Sequence, residues 1–439
     1  MARVRPVRGL RYDLRRVSSE AGLLLAPPYD VVDAAGRARI AARSPHNCIH
    51  MILPTGDGDA KYVEGARQFA ALKADALVHD EAPSFYVYHQ TFTSEGKQFT
   101  RKGFIGLVEL TRFGAGPVLP HERTLAGPKA DRLKLMRACM AHLELVFGMF
   151  SDPDRSWETA VGELDEPVLD ADFDGAHHTL YRVADPAATA ALAQVLADRS
   201  IYIADGHHRY ETMCSFRDEL EAQGRGETAR WGLIYLSNLD DPGLVVLPTH
   251  RIVHSVADFD LTATLAALRP VVDIDEHPLP TAGNELRATL AAAASGGAAF
   301  GLACPGAGPG ADRMHLLRLR SDFDPQAAGL AHLHPALQRL DVALLHELVL
   351  ERGLGITREA QSQNTNLRYY KSTDEALAVA AGQRPDAGDV QLVCFMNPTP
   401  VADVRAVCDS GEVMPQKSTF FYPKIPTGLV FHDLRDDLT

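Results

Sequence analysis

The apolar positions of this 439-residue chain alternate between short runs and longer stretches with helical spacing. Near the start, Leu23–Leu25 reads as a strand that stops at the rigid pair Pro27-Pro28, and Asn47–Leu53 reads as a second. A helix is expected over Tyr62–Val78. Ser84–Phe92 and Gln98–Val108 alternate around a Ser94–Lys97 turn that contains Gly96, which is the pattern of a hairpin. A long helix is expected over Ala130–Met149. Ser200–Ile203 then forms a short buried strand, Asp205-Gly206 breaks it as a turn, and Tyr210–Glu221 resumes as a helix. Trp231–Leu236 and Leu244–His250 read as two further strands.

Beyond residue 258 the texture changes. Residues 260–320 read helix, strand, helix, strand, strand. Ala291–Ala299 and Pro305–Ala311 are of low complexity, and the second reads as a flexible loop. Its prolines, and the lack of a lysine after it, argue against a glycine loop that binds phosphate. A helix over Leu337–Arg352, a strand at Leu367–Tyr370, a helix through Val379 and a strand over Val390–Met396 follow. Pro398–Cys408 reads as a helix and Gly428–His432 as a terminal strand. No internal repeat is visible. The alternation predicts a mixed α/β protein in three parts. Residues 1–257 would carry the chemistry, 258–335 would form a small α/β insert, and 336–439 a C-terminal part that completes the site.

Composition narrows the reading. A hydrophobic content of 46% suffices for ordinary folded cores, and a net charge of −13 disfavours broad affinity for nucleic acid or anionic membrane. No apolar run reaches the roughly 18 residues that cross a bilayer. The basic start, Met1–Leu10, lacks the apolar core of a secretion signal. A cytoplasmic protein is expected, with no nucleic-acid or membrane partner; a homodimer is compatible with this reading. The cysteines, 48, 139, 214, 304, 394 and 408, show no metal-like spacing. Only Cys214 lies close in sequence to the polar cluster described next.

That cluster is Asp205-Gly-His-His-Arg209, where a strand hands over to a helix. Free backbone N–H groups and the positive end of the helix dipole gather there, which favours an anion. His207, His208 and Arg209 at that place suggest a phosphate cradle, with Arg209 able to grip phosphate oxygens through parallel hydrogen bonds. A polar loop that merely caps the helix is the plain alternative.

Three other clusters could contribute. Pro120-His-Glu-Arg-Thr124 and Pro128-Lys-Ala-Asp-Arg132 precede a helix. In them His121 or Glu122 would serve as general base, and Arg123, Lys129 or Arg132 would hold phosphate; a solvated helix entry explains them equally. Lys417-Ser418-Thr419 offers a charge and two hydroxyls for an anion or a hydroxylated ligand, although the upstream glycines of a phosphate-binding loop are absent. Tyr29 and Asp30 follow the proline pair. Asp30 could polarise a hydroxyl, hold magnesium, or cap a helix before Ala34. His250-Arg251 is a weaker addition, and Asn364–Arg368 reads as turn chemistry. No cluster has convincing zinc spacing.

Four motifs in order carry a family resemblance: Pro-Pro-Tyr-Asp-Val from Pro27, His-Glu-Arg-Thr from His121, Asp-Gly-His-His-Arg-Tyr-Glu-Thr from Asp205, and Met-Pro-Gln-Lys-Ser-Thr-Phe-Phe-Tyr-Pro-Lys from Met414. Together they resemble the bacterial and archaeal family called domain of unknown function 1015, over nearly the whole chain. The central motif is similar to the phosphate-binding box of the ParB/sulfiredoxin superfamily. Sulfiredoxins carry Gly-Cys-His-Arg there, ParB proteins Gly-Glu-Arg-Arg, and free serine kinases Asp-Gly-His-His-Arg. The resemblance implies a ParB/sulfiredoxin-like nucleotide-binding core in which His207, His208 and Arg209 hold nucleotide or transferred phosphate. His207 stands where sulfiredoxin has its reactive cysteine, which disfavours sulfinic acid repair.

The resulting expectation is a phosphotransferase of a small hydroxylated metabolite, free L-serine first among them. ATP or ADP would be the donor and Mg²⁺ would bridge the phosphates. In that scheme Asp205 to Arg209, with Arg132, Lys417, Ser418 and Thr419, bind phosphate or nucleotide. Tyr29, His121 and Arg123 contact substrate, and Asp30 or Glu122 takes the hydroxyl proton. The same parts could run as a phosphoserine phosphatase through His207 or His208. A nucleotide-binding switch without turnover is the alternative of another class.

Overall fold

A computed structural model describes residues 1–17, 20–124, 126–305 and 312–435. The architecture is mixed α/β, as the alternation predicts. The chain forms two compact units: the first comprises residues 1–120, 124–245 and 423–439, the second residues 121–123 and 246–422.

The first unit is organised by a nine-stranded sheet. Its strands run in the order Val118–Leu119, Ile201–Asp205, Val146–Phe150, Trp231–Asn238, Lys97–Glu109, Phe85–Ser94, Ala176–Val183 and Leu169–Phe173, with Val4–Arg5 added alongside Lys97–Glu109. Most neighbours are antiparallel; Ile201–Asp205 runs parallel to Val118–Leu119, and Trp231–Asn238 parallel to Val146–Phe150. The expected hairpin is present, its register closing at Ser94 opposite Lys97. Glu95 and Gly96 both take positive φ, 52° and 74°, the geometry whose twist matches that of the paired strands.

Several expectations in this unit are corrected. Asn47–Leu53 is not a strand: Ile49–Ile52 is a short helix. Ile49, Met51 and Ile52 are all fully buried, so no face alternates and periodicity cannot tell strand from helix. Buried Asn47 starts the turn, its Oδ1 accepting from the Ile49 amide at 2.8 Å while its Nδ2 donates to Leu23 and Leu25 carbonyls at 2.7 and 2.8 Å. Leu23–Leu25 is likewise not a strand; Ala21–Leu23 is a 3₁₀ turn. The helix expected over Tyr62–Val78 spans Ala60–Asp75 and gives way to the strand Leu77–His79.

The helix expected over Ala130–Met149 spans Ala126–Cys139 instead. Met140 turns the chain with φ of 51°, and Val146–Phe150 becomes a wholly buried sheet strand. Gly148 allows it to pack closely, since a Cβ there would lie 2.8 Å from Ile201 Cγ2. Residues 156–195, for which the pattern suggests no element, supply helices Ser156–Val161 and Pro186–Val195 and the outer hairpin Leu169–Phe173 with Ala176–Val183. The strand expected over Gly428–His432 is reduced to His432–Asp433 and a bridge from Phe431 to Leu10.

The second unit is built on a six-stranded antiparallel sheet, ordered Val272–Pro278, Arg313–Leu319, Ala299–Ala303, Leu392–Met396, His250–Val253, Leu367–Tyr370. The helix, strand, helix, strand, strand order read over 260–320 is present as Leu261–Leu268, Val272–Pro278, Gly283–Ala293, Ala299–Ala303 and Arg313–Leu319. Those strands share one sheet with strands from 250–253, 367–370 and 392–396. The run read as one strand over Leu244–His250 is two, Val245–Leu247 and His250–Val253, separated at Pro248, which has no amide hydrogen for a ladder. The helix expected over Leu337–Arg352 begins as α-helix at Asp341–Leu344 and widens into a π-helix over Leu345–Gly353. Of the loop expected over Pro305–Ala311, residues 306–311 lie outside the described residues.

Candidate functional site

In the first unit the strand Ile201–Asp205 ends at Gly206, and a helix starts at His207. The helix runs to Ala222, so it begins three residues before the expected Tyr210, and His207, His208 and Arg209 form its first turn. Gly206 has φ of 87° and ψ of 30°, a left-handed conformation that side chains resist. A Cβ at that position would also lie 2.9 Å from Arg209 Nε. The guanidinium is thus folded back across the glycine, beside the helix N-terminus.

Arg209 is buried. One terminal nitrogen donates to the Leu145 carbonyl and the other to Asp205 Oδ2. The second Asp205 oxygen accepts from Lys424 Nζ. Burial would raise the Asp205 pKa, but Lys424 and Arg209 hold it well below the usual carboxylate value. Burial likewise disfavours the Arg209 cation, while Asp205, Glu144, Asp30 and Tyr29 raise its pKa above the ordinary guanidinium value.

A second arginine lies in the same unit. Arg132, from the helix Ala126–Cys139, donates to the Ile52 carbonyl at 2.8 Å, to Asp131 Oδ2 at 2.6 Å and to Glu144 Oε2 at 3.4 Å. Its guanidinium sits over the Tyr29 ring, 4.1 Å from the centroid. Glu144 is buried and also accepts from the Tyr29 amide at 3.3 Å. The Tyr29 phenol is pushed up to about 12, chiefly by burial, with Glu144 and Asp30 adding to it. Arg132, Glu144, His142 and Arg209 line a cavity of about 30 Å³, large enough for a water molecule.

Of the expected residues, the first unit therefore holds Tyr29, Asp30, Lys129, Arg132 and Asp205 to Arg209; Lys129 Nζ donates to Glu211 Oε2 at 3.2 Å. Asp30 is exposed in a 3₁₀ turn, Tyr29–Val31, and does not cap the following helix. Asp33 does so, accepting from the Gly36 amide at 2.6 Å. His207 is buried 6.4 Å from the Phe113 ring, and the His208 carbonyl accepts from Thr212 Oγ1 at 2.7 Å. Burial pushes the Cys214 thiol up to about 12, which is the environment of an inert cysteine. Glu144 and Lys424 are the members that sequence reasoning missed.

The remaining expected residues belong to the second unit. His121 is buried, with Nε2 2.8 Å from Thr419 Oγ1 and its ring 6.1 Å from that of Phe421. Its carbonyl accepts from the Met414 amide at 2.8 Å, and Glu122 bridges to Met414. The two sequence motifs around His121 and Met414 are thus joined in space. Ser418 is buried and its hydroxyl donates to the Pro415 carbonyl at 2.5 Å. Lys417 is exposed, with φ of 58°, and its carbonyl accepts from Arg251 Nη2 at 3.2 Å. Asn364 ends the helix Arg358–Gln363 in a left-handed turn, φ 56°, the turn chemistry its sequence suggests.

Arg251 is the buried pivot of this unit. It faces Tyr369, 5.7 Å from the ring centroid, and its Nη2 lies 3.3 Å from His346 Nε2. Gln361 Nε2 donates to the Ile356 carbonyl at 2.8 Å, which leaves Oε1 to accept from His346 Nδ1 at 2.7 Å. His346 therefore carries its proton on Nδ1 and turns a lone pair toward Arg251. Burial, then Arg251, lowers the His346 pKa to about 3.

The chain belongs to a protein family of unknown function, DUF1015, whose model matches residues 4–343. The motif from Met414 lies beyond the matched residues. No curated protein matches the sequence. Solved structures that resemble the chain include a conserved hypothetical protein from Pyrococcus furiosus, 14% identical, covering 73% of this chain and 93% of its own with a TM-score of 0.34. A free serine kinase in complex with AMP is 13% identical, with coverage of 73% and 90% and a TM-score of 0.33. A mutant free serine kinase in complex with ADP is 11% identical, with the same coverage and a TM-score of 0.34. Among the described residues, no helix is long and apolar enough to cross a membrane, and no group of three or more His, Cys, Asp or Glu is placed to hold a metal ion.

Proposed function

We propose that the first unit is a phosphotransferase site for a small hydroxylated metabolite, with free L-serine as the acceptor and ATP or ADP as the donor. The observation that carries this reading is the buried Arg209 guanidinium lying across Gly206 at the start of the helix His207–Ala222. A helix start offers amide donors and a positive dipole end to a phosphate. Arg209 has five N–H donors, and its bonds to Asp205 and Leu145 leave others for phosphate oxygens. Asp205, ionised and held by Lys424, orients Arg209 and would not itself face the anion. Such chemistry rests on positioning and charge neutralisation.

Asp30 is the exposed carboxylate beside Arg209 and Tyr29, and it takes the acceptor's hydroxyl proton in this scheme. Mg²⁺ binds through one or two carboxylates and substrate phosphates rather than an all-protein cage. A single carboxylate at Asp30 fits that habit, and the ion would supply neutralisation of phosphate charge. In the alternative hydrolytic reading, His207 and His208 in the first turn act as acid or nucleophile while water takes the phosphoryl group of phosphoserine and serine leaves.

The test is to incubate the full chain with L-serine and ATP or ADP, following phosphoserine, and separately with O-phospho-L-serine, following phosphate. Transfer is expected with one nucleotide, and Arg209→Lys should reduce it by about tenfold or more because lysine cannot reproduce the fork. Nucleotide binding without turnover of any acceptor would favour a switch protein. Transfer unchanged in Arg209→Lys would sink the assignment.

A further inference from the structure

The second unit contains a cavity of about 370 Å³ within its own residues, in the size range of small-molecule sites. Part of its polar lining is already bonded internally. Arg358 holds Glu347 at 2.8 and 3.0 Å and Glu351 at 3.1 Å, and His346 is committed to Gln361. Among the described residues, the side chains of Arg123, Ser362, Tyr369, Glu412 and Gln416 in the lining are not so engaged, and three of these bear on a charged ligand. The Tyr369 hydroxyl is buried without a hydrogen-bond partner, and a buried polar atom left in that state calls for an explanation. The side chains of Arg123 and Glu412 also line the cavity and form no hydrogen bond or ion pair among the described residues. A π-helix, Leu345–Gly353, presents His346 and Glu347 to the same space; π-helical turns are rare and concentrate at functional sites.

The open groups are complementary in sign. A guanidinium and a phenolic hydroxyl donate to an oxyanion, and a carboxylate accepts from an ammonium group. The apolar remainder of the lining, including Leu333, Leu337 and Met414, suits a short carbon skeleton between them. We infer that this cavity binds a small zwitterion of the amino-acid class, its oxyanion on Arg123 and Tyr369 and its amine on Glu412. The inference goes beyond phosphoryl transfer: it concerns the second unit alone and stands or falls on binding.

Titration calorimetry on the full chain tests it, with L-serine, O-phospho-L-serine, inorganic phosphate and ethanolamine as probes. The zwitterions should bind, and more tightly than either single-charge probe. Arg123→Gln should weaken them about tenfold, as loss of a charge-assisted bond does. Tyr369→Phe should weaken them roughly fivefold. Glu412→Gln should weaken L-serine while leaving inorganic phosphate unaffected. The Arg123 and Glu412 side chains form no hydrogen bond or ion pair among the described residues, so their variants should melt with the wild type, and Arg209→Lys in the first unit should leave this binding intact. Zwitterion affinity that is insensitive to all three second-unit variants, or no binding by either zwitterion up to roughly 10 mM, far weaker than ordinary metabolite affinities, would overturn it.

Discussion

Asp205 and Lys424, 219 positions apart, are joined by an ion pair whose carboxylate also holds Arg209. Lys424 lies seven residues beyond the lysine that the sequence offers as a phosphate ligand, and its contribution is to the folded framework of the first unit. Removing one partner of a largely buried pair leaves the other charge desolvated and uncompensated. Lys424→Ala should therefore destabilise the protein by about 3 kcal/mol, toward the lower end of that class because Arg209 still faces Asp205. Urea unfolding at pH 7 measures this.

The same pair gives an acid limb to the stability curve. The Asp205 pKa is lower in the folded protein than in the unfolded chain, where it is about 3.9. Its contribution is complete above about pH 5 and is lost as pH falls through and below 4 toward the folded value. In Asp205→Asn that part of the acid limb should flatten, as followed by circular dichroism between pH 2 and 6.

Gly206→Ala meets two penalties, a positive φ and a Cβ 2.9 Å from Arg209 Nε. Gly96, with φ of 74° and open space around it, meets only the first. Gly96→Ala should cost about 1 kcal/mol, and Gly206→Ala clearly more, about 2 kcal/mol. Phosphate or nucleotide binding should fall with Gly206→Ala only, since only there is the guanidinium displaced. Equal melting temperatures for the two variants would show that Arg209 does not lie across Gly206.

His346 and His250 supply a pH dependence of their own. Burial, then Arg251, holds each folded pKa at about 3, against about 6.5 unfolded. Between those values the unfolded chain binds more protons, so stability rises with pH from about 3 to about 6.5 and levels off above. Neither imidazole should titrate between pH 5 and 8 by proton NMR. A His346 resonance moving with a midpoint near 6.5 would contradict its neutral pairing with Gln361.

Asp341 has the opposite sign. Burial raises its pKa to about 7, opposed by the Val342 amide and Arg251. The group is thus neutral in the fold below that value and charged in the unfolded chain above about 3.9. Its contribution is present at low pH and lost as pH rises from about 4 through 7. Asp341→Asn, which can retain the acceptor for the Val342 amide at 2.7 Å, should stabilise the protein at pH 8 and have little effect at pH 4, as read by urea midpoints.

The mixed α/β class, the hairpin ending at Gly96 and the strand-to-helix junction at Asp205-Gly206 were legible in the sequence, because alternation and turn residues report them locally. The early start of the helix at His207 was not, because His207, His208 and Arg209 carry no apolar rhythm. Val146–Phe150 was absorbed into an expected helix, since a strand buried on both faces has no alternation to show. Glu144 sits inside that same apolar stretch, where nothing nearby marks it as the partner of Arg132. Lys424 was visible as a residue, but only the fold selects it over Lys417. In the second unit, the tie between His121 and Thr419 joins two segments that the sequence could only suggest belong together.

The first unit draws its last segment, residues 423–439, from the end of the chain. The Pro423 and Lys424 carbonyls accept from buried Arg101 and Gln90, and Phe431 and Leu434 enter its apolar cores. During synthesis that unit thus waits, unfinished, until the segment from residue 423 has been made. Nascent chains stalled before residue 423 would leave Asp205 without its lysine and an apolar seam open to chaperones, so the first unit of a ribosome-bound chain should become protease-resistant only once that segment has emerged.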